Sequence, residues 1–335
     1  MEPIESMPGY KKMCHAFERL NSVRDIRDLE AIYLRGDGLT ASTYATYRQA
    51  VSAFCEFTNH LNPLQVTPGH IEQYYDSTVK RTSKDTASGH MAALKKFFSG
   101  IVREIPIFES PFDKMSNSVK KKISRKSPKG KTKTALTLEE WEAVKTYLKS
   151  DKSLKGLQNR AMILTLYSTG LRAFELCNLK WSDLSQDEGG YHLKGVGKGA
   201  KAFTQFLPET VVTDALEAFT VRFKRKPRGE DSLFYSLESY HGKPAAPMCK
   251  STLWVRLRDI GKELKEQGKI RKEIEFSAHL FRRSFITHLN KKGVDIKTIS
   301  HGARVSDLGG LYNHYIDNPE PPQNINKLIL QEVAR

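Results

Sequence analysis

A basic stretch divides this chain in two and so limits what it can fold into. Residues 114–133 carry nine Lys and Arg and no Asp or Glu, and they supply nine of the 16 net positive charges. Because the stretch has few large apolar side chains, we predict that it buries no face of its own and that 109–134 is a basic linker between two folded regions. Such a charge suits nucleic-acid phosphates, although a solvated spacer or a localisation signal would have the same composition.

The residues before this linker have the periodicity of a small helical bundle. Apolar side chains recur at three- and four-residue steps, as they do on the buried face of an amphipathic helix. We predict helices over 24–34, 44–61, 71–79 and 91–101. We expect them to form a four-helix bundle over 22–108, with residues 1–21 as an N-terminal extension ahead of it.

The residues after the linker, 135–335, combine helices with a hairpin. Thr137 followed three residues later by Glu140 is the capping box of a helix start, and 191–207 alternates around a glycine-rich turn, as a β-hairpin does. The predicted fold class is therefore α+β, mostly α, with a small β-hairpin sheet in the second domain. The glycine-rich turn fits neither a P-loop nor a dinucleotide fingerprint, which argues against a nucleotide cofactor.

Two arginines of this second domain lie near helix starts, each with a polar residue three positions away. Glu175 lies on the same side of a helix as Arg172, where its carboxylate can orient the guanidinium. His279 precedes Arg282 by one turn in the same way. A buried arginine is costly unless it is paired or holds an anion, so a paired structural arginine and an anion site are both open at this point.

The composition argues against several classes of protein. No run approaches 18 uninterrupted apolar residues, which argues against a membrane span, and the first residues lack the apolar segment of a signal peptide. The four cysteines are scattered without a Cys-x-x-Cys pair, so we predict buried thiols rather than a disulfide frame or a zinc site. We therefore expect a cytoplasmic protein with a polyanionic partner, which would be nucleoid-associated if that partner is DNA.

Three motifs in order resemble those of a known family. STGLRAFELCNLKWSDL, at 168–184, resembles the first arginine box of the tyrosine recombinases, the phage-integrase family. HLFRRSFITHLNKKGVDIKTI, at 279–299, resembles the second box, and the hairpin between them lies where the family has its β-hairpin lysine. The resemblance covers about 137–318. It implies a helical core-binding domain and a mixed catalytic domain that form a C-shaped clamp on double-stranded DNA.

The resemblance also implies a reaction and the residues that carry it. A tyrosine hydroxyl attacks a DNA phosphodiester and forms a 3′-phosphotyrosyl link. Arg172 and Arg282 would hold the non-bridging oxygens, and His279 would add a hydrogen bond or move the proton of the nucleophile. Lys198 would protonate the departing 5′-oxygen. No metal, ATP or other cofactor is expected.

The chain departs from the family pattern just before the nucleophile. In the ungapped register, Arg304 and Val305 stand where the family has Gly and His, so the usual second histidine or tryptophan is missing. The same register makes Tyr315 the nucleophile. Tyr312 is the alternative, which would need His301 as the second histidine. The possible replacements for the lost donor are His301 and His314.

We therefore predict an enzyme, a site-specific DNA recombinase that serves as the integrase or transposase of a mobile element. A type IB-like topoisomerase is an alternative, because it shares the nucleophile chemistry. A DNA-binding protein with impaired cleavage is another, because Val305 cannot donate a hydrogen bond. The family implies a homo-tetramer on two DNA sites, formed from monomers or dimers. The apolar segment 324–333 either docks on a neighbouring protomer or closes its own core.

Overall fold

The structure of the chain, a computed structural model, describes residues 10–22, 33–34, 38–124, 134–196, 202–237 and 246–305. The chain divides into two units, Met1–Gly130 and Lys131–Arg335. Across the described ranges, helices predominate and the strands form one antiparallel sheet of three. The predicted fold class, mostly helical α+β with a small hairpin sheet, is confirmed.

Helices with side-chain caps build the first unit. Thr40, Thr67 and Ser83 each accept a hydrogen bond from a backbone N–H at a helix start. The helices are α1 (Tyr10–Ser22), α2 (Ala41–Phe57), α3 (Pro68–Arg81), α4 (Lys84–Glu104) and α5 (Asn117–Ser124). Three of the four predicted helices are thus confirmed with shifted ends. Of the fourth, predicted over 24–34, all but residues 33 and 34 lie outside the described residues.

Two segments beyond the predicted bundle also contribute to its core. Helix α1 buries Ala16 and Leu20 there, so part of the predicted extension is a packed helix. Met115, Val119 and Ile123 recur at four-residue steps and place an apolar stripe of the basic stretch against the same core. The prediction that 114–133 buries no face is therefore wrong for its first half. Residues 125–133 lie outside the described residues, and the linker limits 109 and 134 stay predictions.

The second unit combines helices with one small sheet. They are α6 (Leu138–Ser150), α7 (Leu154–Thr169), α8 (Ala173–Cys177), α9 (Glu209–Phe223), α10 (Lys250–Glu266), α11 (Ala278–Lys291) and α12 (Ile296–Ala303). The sheet consists of β1 (Leu184–Asp187), β2 (Gly190–Val196) and β3 (Ala202–Leu207) in that order. Strands β2 and β3 pair from Tyr191↔Leu207 to Val196↔Ala202, which confirms the predicted hairpin. The predicted capping box of Thr137 and Glu140 is also present.

Helix α7 is the central element of this unit, because α6, α9, α11 and β3 all pack against it. Near its C-terminal end, the Tyr167 ring stacks on Trp141 with 3.6 Å between centroids. The Tyr167 hydroxyl lies 2.7 Å from His288 Nδ1 on α11, and His288 Nε2 lies 2.8 Å from the carbonyl oxygen of Leu136. These contacts fix the end of α7, from which the first arginine box continues.

The cysteines differ in burial. Cys55 and Cys177 are buried, but Cys14 is half-buried and Cys249 is exposed, so the prediction of four buried thiols is wrong for two of them. Cys249 caps the start of α10, and hydrogen bonds with Ser251 and Thr252 lower the pKa of its thiol to about 7. Among the described residues, no helix is long and apolar enough to cross a membrane.

Candidate active site

The first arginine box places a carboxylate directly against Arg172. Helix α8 begins after Arg172, whose backbone N–H donates to Glu175 Oε2 at 2.9 Å while its Nη1 donates to Glu175 Oε1 at 2.9 Å. Glu175 is buried, and the Arg172 side chain keeps 29% of its surface exposed. The carboxylate therefore holds the guanidinium in one orientation, as the three-residue spacing predicts.

A glycine turn brings the second arginine to the same place. Gly170 ends α7 in the left-handed region, with φ +60, and a Cβ there would meet the Phe285 ring at 2.7 Å. Its carbonyl oxygen accepts a 2.6 Å hydrogen bond from Arg282 Nη1. Arg282 lies on α11 with none of its surface exposed. The close approach that glycine permits thus puts the two arginine boxes in contact.

Both arginines reach the C-terminal end of α12. Arg282 Nη2 donates to the carbonyl oxygen of Ala303, and Arg172 Nη2 donates to that of Arg304 at 3.2 Å. Carbonyl oxygens at a helix C-terminus carry partial negative charge, so guanidinium groups are favourable partners for them. The structure therefore brings the two predicted arginines together around one short turn. Their roles in a reaction stay predictions.

His279 lies on α11 one turn before Arg282, but its side chain is exposed. It lines a cavity of about 620 Å³ together with Ala173, Lys250, Trp254 and Arg283. Ala173 directly follows Arg172 in the chain, so this cavity reaches the segment that carries the first arginine. The placement of His279 is compatible with contact to a large substrate.

The remaining predicted residues lie outside the described part of the chain. These are Lys198, Tyr312, His314 and Tyr315. The strands that precede and follow Lys198 in the chain are described, and Gln205 of β3 donates to the carbonyl oxygen of Gly302 on α12 at 2.5 Å. The hairpin is thus attached to the same helix end as the two arginines.

Val305, which stands where the family has histidine, and His301, a possible replacement for that histidine, differ in environment. Val305 packs against a small apolar cluster that includes Ile286 and Ile299. His301 is exposed on α12. Of the two, only His301 has a side chain that can donate a hydrogen bond.

The sequence analysis missed Arg304 as a site residue. Its side chain is only 8% exposed, and Nη2 lies 3.4 Å from Glu175 Oε2 and 3.3 Å from the carbonyl oxygen of Gly170. Its guanidinium lies over the Phe203 ring of β3, with Cζ 4.5 Å from the centroid. The only sequence signal was an arginine in place of glycine at a helix end, which gives no direction for the side chain.

Glu175 and the arginines around it shift each other's ionisation. Burial raises the pKa of Glu175, but the hydrogen bond from the Arg172 N–H and the charges of Arg304 and Arg172 outweigh it, so the pKa lies below its usual value. Burial lowers the pKa of Arg304, Glu175 opposes this shift, and Arg172 adds to it. Since an arginine stays protonated at neutral pH, the cluster has an excess of positive charge suited to an oxyanion. Among the described residues, no group of three or more His, Cys, Asp and Glu could hold a metal ion.

The sequence matches two models of known protein families. Residues 134–318, more than half of the chain, match the model of the phage integrase family. The chain belongs to the phage integrase family. Residues 29–106 match the N-terminal SAM-like domain of phage integrases. The resemblance drawn from the motifs is thereby confirmed, and so is the prediction that the chain is an enzyme of the tyrosine recombinase class.

Relatives and solved structures extend the match over most of this integrase-family chain. It is 31% identical over 188 residues to the tyrosine recombinase XerA of Pyrococcus furiosus, a match that spans 56% of this chain and 58% of that protein. It is 28% identical over 288 residues to the tyrosine recombinase XerC of Bacillus pumilus, over 82% of this chain and 86% of that protein. The crystal structure of XerH site-specific recombinase in a post-cleavage complex with palindromic difH substrate has a TM-score of 0.66 at 21% identity, over 97% of this chain and 88% of that one. This last likeness concerns the fold.

Proposed function

We propose that this chain is a site-specific recombinase that cuts and rejoins double-stranded DNA through a 3′-phosphotyrosyl intermediate. The observation that carries the proposal is the convergence of Arg172 and Arg282 on one turn, beside an accessible His279. Two guanidinium groups within reach of one anion suit the non-bridging oxygens of a phosphodiester. Membership of the phage integrase family supports this use of the cluster.

The proposed step is an exchange of one ester bond for another. The hydroxyl oxygen of Tyr315 attacks the phosphorus, the bond from phosphorus to the 5′-oxygen breaks, and the tyrosine loses its proton. Lys198 donates a proton to the departing 5′-oxygen, and His279 contacts the phosphate or takes the tyrosine proton. The arginines stabilise the charge on the non-bridging oxygens. The step needs no metal or ATP, so EDTA should leave cleavage unchanged.

Arg282 must become accessible before it can bind a phosphate. It is fully buried, and its two terminal nitrogens donate to the carbonyl oxygens of Gly170 and Ala303. We propose that DNA binding makes its guanidinium accessible to a phosphate oxygen. Arg172 is more accessible, because 29% of its side-chain surface is exposed.

We propose further that the enzyme serves a mobile element as its integrase or transposase and acts as a tetramer on two DNA sites. The match to the phage integrase model supports the first statement. Its test is the DNA that flanks the coding sequence, since a mobile element lies next to its own recombination sites. A tetramer would appear by light scattering only after two sites are added.

A suicide substrate tests the reaction. The probe is a nicked duplex taken from the flanking DNA, with a bridging phosphorothiolate at the scissile phosphate, and the readout is a covalent adduct on a denaturing gel. We expect an adduct with the wild type and with Tyr312→Phe, and none with Tyr315→Phe. The opposite pattern would make Tyr312 the nucleophile. DNA binding without any adduct would favour a DNA-binding protein, and relaxation of supercoils without site preference would favour a topoisomerase.

A further inference from the structure

The end of α12 is where three parts of the second unit meet. The carbonyl oxygen of Gly302 accepts from Gln205 of the hairpin, and that of Ala303 accepts from Arg282 of α11. The carbonyl oxygen of Arg304 accepts from Arg172 at the start of α8. A displacement of this turn would therefore change the hydrogen bonds of both arginines that we expect to bind the phosphate.

Arg304 occupies this turn in a conformation that favours glycine. It follows the last residue of α12 with φ +55 and ψ 47, in the left-handed region. An arginine gains nothing from that backbone geometry, since its Cβ is unfavourable there. The backbone N–H groups of Arg304 and Val305 donate to the carbonyl oxygens of His301 and Ser300 at 3.0 and 2.9 Å, and these bonds help to offset the cost together with the contacts of the side chain.

The contacts of the Arg304 side chain tie it to the partners of the other two arginines. Its Nη2 shares Glu175 Oε2 with the backbone N–H of Arg172 and shares the carbonyl oxygen of Gly170 with Arg282. Its guanidinium is held from one side by the Phe203 ring. The Phe203 ring has room because its partner across the strands is glycine, Gly195, where a Cβ would come within 2.6 Å of the ring.

We infer that Arg304 is a positioning residue for DNA strand transfer, which fixes Glu175 and the Gly170 turn so that Arg172 and Arg282 present their donors at one phosphate. The inference rests on the proposed function. Arg304 does not itself touch the phosphate; it holds the groups that hold the two arginines. Loss of a supporting contact moves reacting groups by fractions of an ångström, which is enough to slow a step that depends on their orientation.

The first test compares matched arginines by single-turnover cleavage at saturating protein. Arg304→Gln should slow cleavage of the suicide duplex by about 10- to 100-fold while the Kd for the DNA changes little. Arg225 is the matched control, because it also pairs with a buried carboxylate, that of Asp231 at 2.7 Å, and lies 5.1 Å from a ring centroid, that of Phe219. Arg225→Gln should lower the Tm and leave the cleavage rate unchanged.

Two further variants separate positioning from folding. Arg304→Gly suits the backbone at this turn, so it should fold well and still cleave slowly. Arg304→Lys keeps the charge but lacks the planar fork, and it should recover part of the rate. Wild-type cleavage rates in folded Arg304→Gln and Arg304→Gly would overturn the inference, and so would equal slowing in Arg225→Gln.

A comparison of oxygen and sulfur leaving groups shows whether Arg304 supports Lys198 or the two arginines. A bridging sulfur departs without a proton donor, so a defect that acts only through Lys198 disappears with the phosphorothiolate duplex. We expect the Arg304→Gln defect to persist with both oxygen and sulfur leaving groups, because the arginines act on the non-bridging oxygens. A defect confined to the oxygen substrate would contradict the inference.

A double-mutant cycle tests the connection through Glu175. If Arg304 acts through this carboxylate, Arg304→Gln should slow the Glu175→Gln enzyme by a smaller factor than it slows the wild type. Equal factors in both backgrounds would contradict the connection. An absence of adduct with the wild type would instead overturn the proposed function itself, so the two failures are distinguishable.

Discussion

Arg172 and Glu175 are joined twice over a single helical turn, once through the backbone N–H of the arginine and once through its Nη1, both at 2.9 Å. The same carboxylate is 3.4 Å from Nη2 of Arg304. Glu175 therefore orients Arg172, whose side chain is partly exposed, and pairs with Arg304, whose side chain is buried. The order of this cluster depends on that carboxylate being ionised.

Replacing the carboxylate tests this dependence. Glu175→Gln should lower the free energy of unfolding by about 3 kcal/mol at neutral pH, because it leaves a buried guanidinium without its counter-charge. The folded-state pKa of Glu175 lies below the ordinary value of 4.5, so its stabilisation is complete above that value and is lost as the pH falls through the folded-state pKa. Urea denaturation of both proteins should give curves that converge on acidification. A difference independent of pH would contradict the assignment.

The glycine at the end of α7 should tolerate no side chain. Gly170→Ala places a Cβ in the left-handed region and 2.7 Å from the Phe285 ring, so we expect a loss of about 2 to 4 kcal/mol in the free energy of unfolding. Gly268 is the matched control, with φ +66 and no atom within 4 Å of a Cβ. Gly268→Ala should cost only about 1 kcal/mol. Equal losses in urea denaturation would show that the Phe285 contact is unimportant.

His288 should make the stability depend on pH. Burial lowers its pKa, the hydrogen bond to the Leu136 carbonyl opposes this, and Lys291 and Lys292 add to the lowering. Because the unfolded chain binds the proton more readily, this stabilisation is complete above 6.5, the ordinary value, and is lost as the pH falls through the folded-state pKa. The free energy of unfolding should therefore decline on mild acidification. His288→Gln should remove that part of the decline, and an unchanged pH profile would refute the assignment.

The basic stretch should contribute to DNA affinity and not to the chemistry. We expect glutamine at Lys121, Arg125, Lys126 and Lys129 to raise the Kd and to reduce the slope of log K against log salt by about 0.9 for each DNA phosphate that the variant no longer neutralises. Lys122 is kept, because its ammonium group is 3.0 Å from Glu72 and 2.8 Å from Asp76 and stabilises the bundle. Fluorescence anisotropy at several salt concentrations measures the slope. Slower cleavage of saturated complexes would contradict this division of roles.

Much of the fold was predictable because its signals are local. The capping box at Thr137, the glycine that ends α7 and the alternation of the hairpin each depend on residues a few positions apart. Helix α5 was missed for the opposite reason. Its two large apolar residues, Val119 and Ile123, flank three lysines, and their four-residue spacing gains meaning only when the bundle offers a core to cover.

The sequence by itself determined the family, the α+β class, the hairpin, and the pairing of Arg172 with Glu175. These follow from residue types at short spacings, where helix and strand geometry alone sets which side chains meet. The tertiary structure alone decided that Arg172 meets the carbonyl of Arg304, 132 positions away, that Arg282 is buried, and that the Arg304 side chain lies in the cluster while Val305 packs in an apolar core. Such contacts depend on how whole helices pack, and no local pattern of residues specifies the distance or direction between two helix ends.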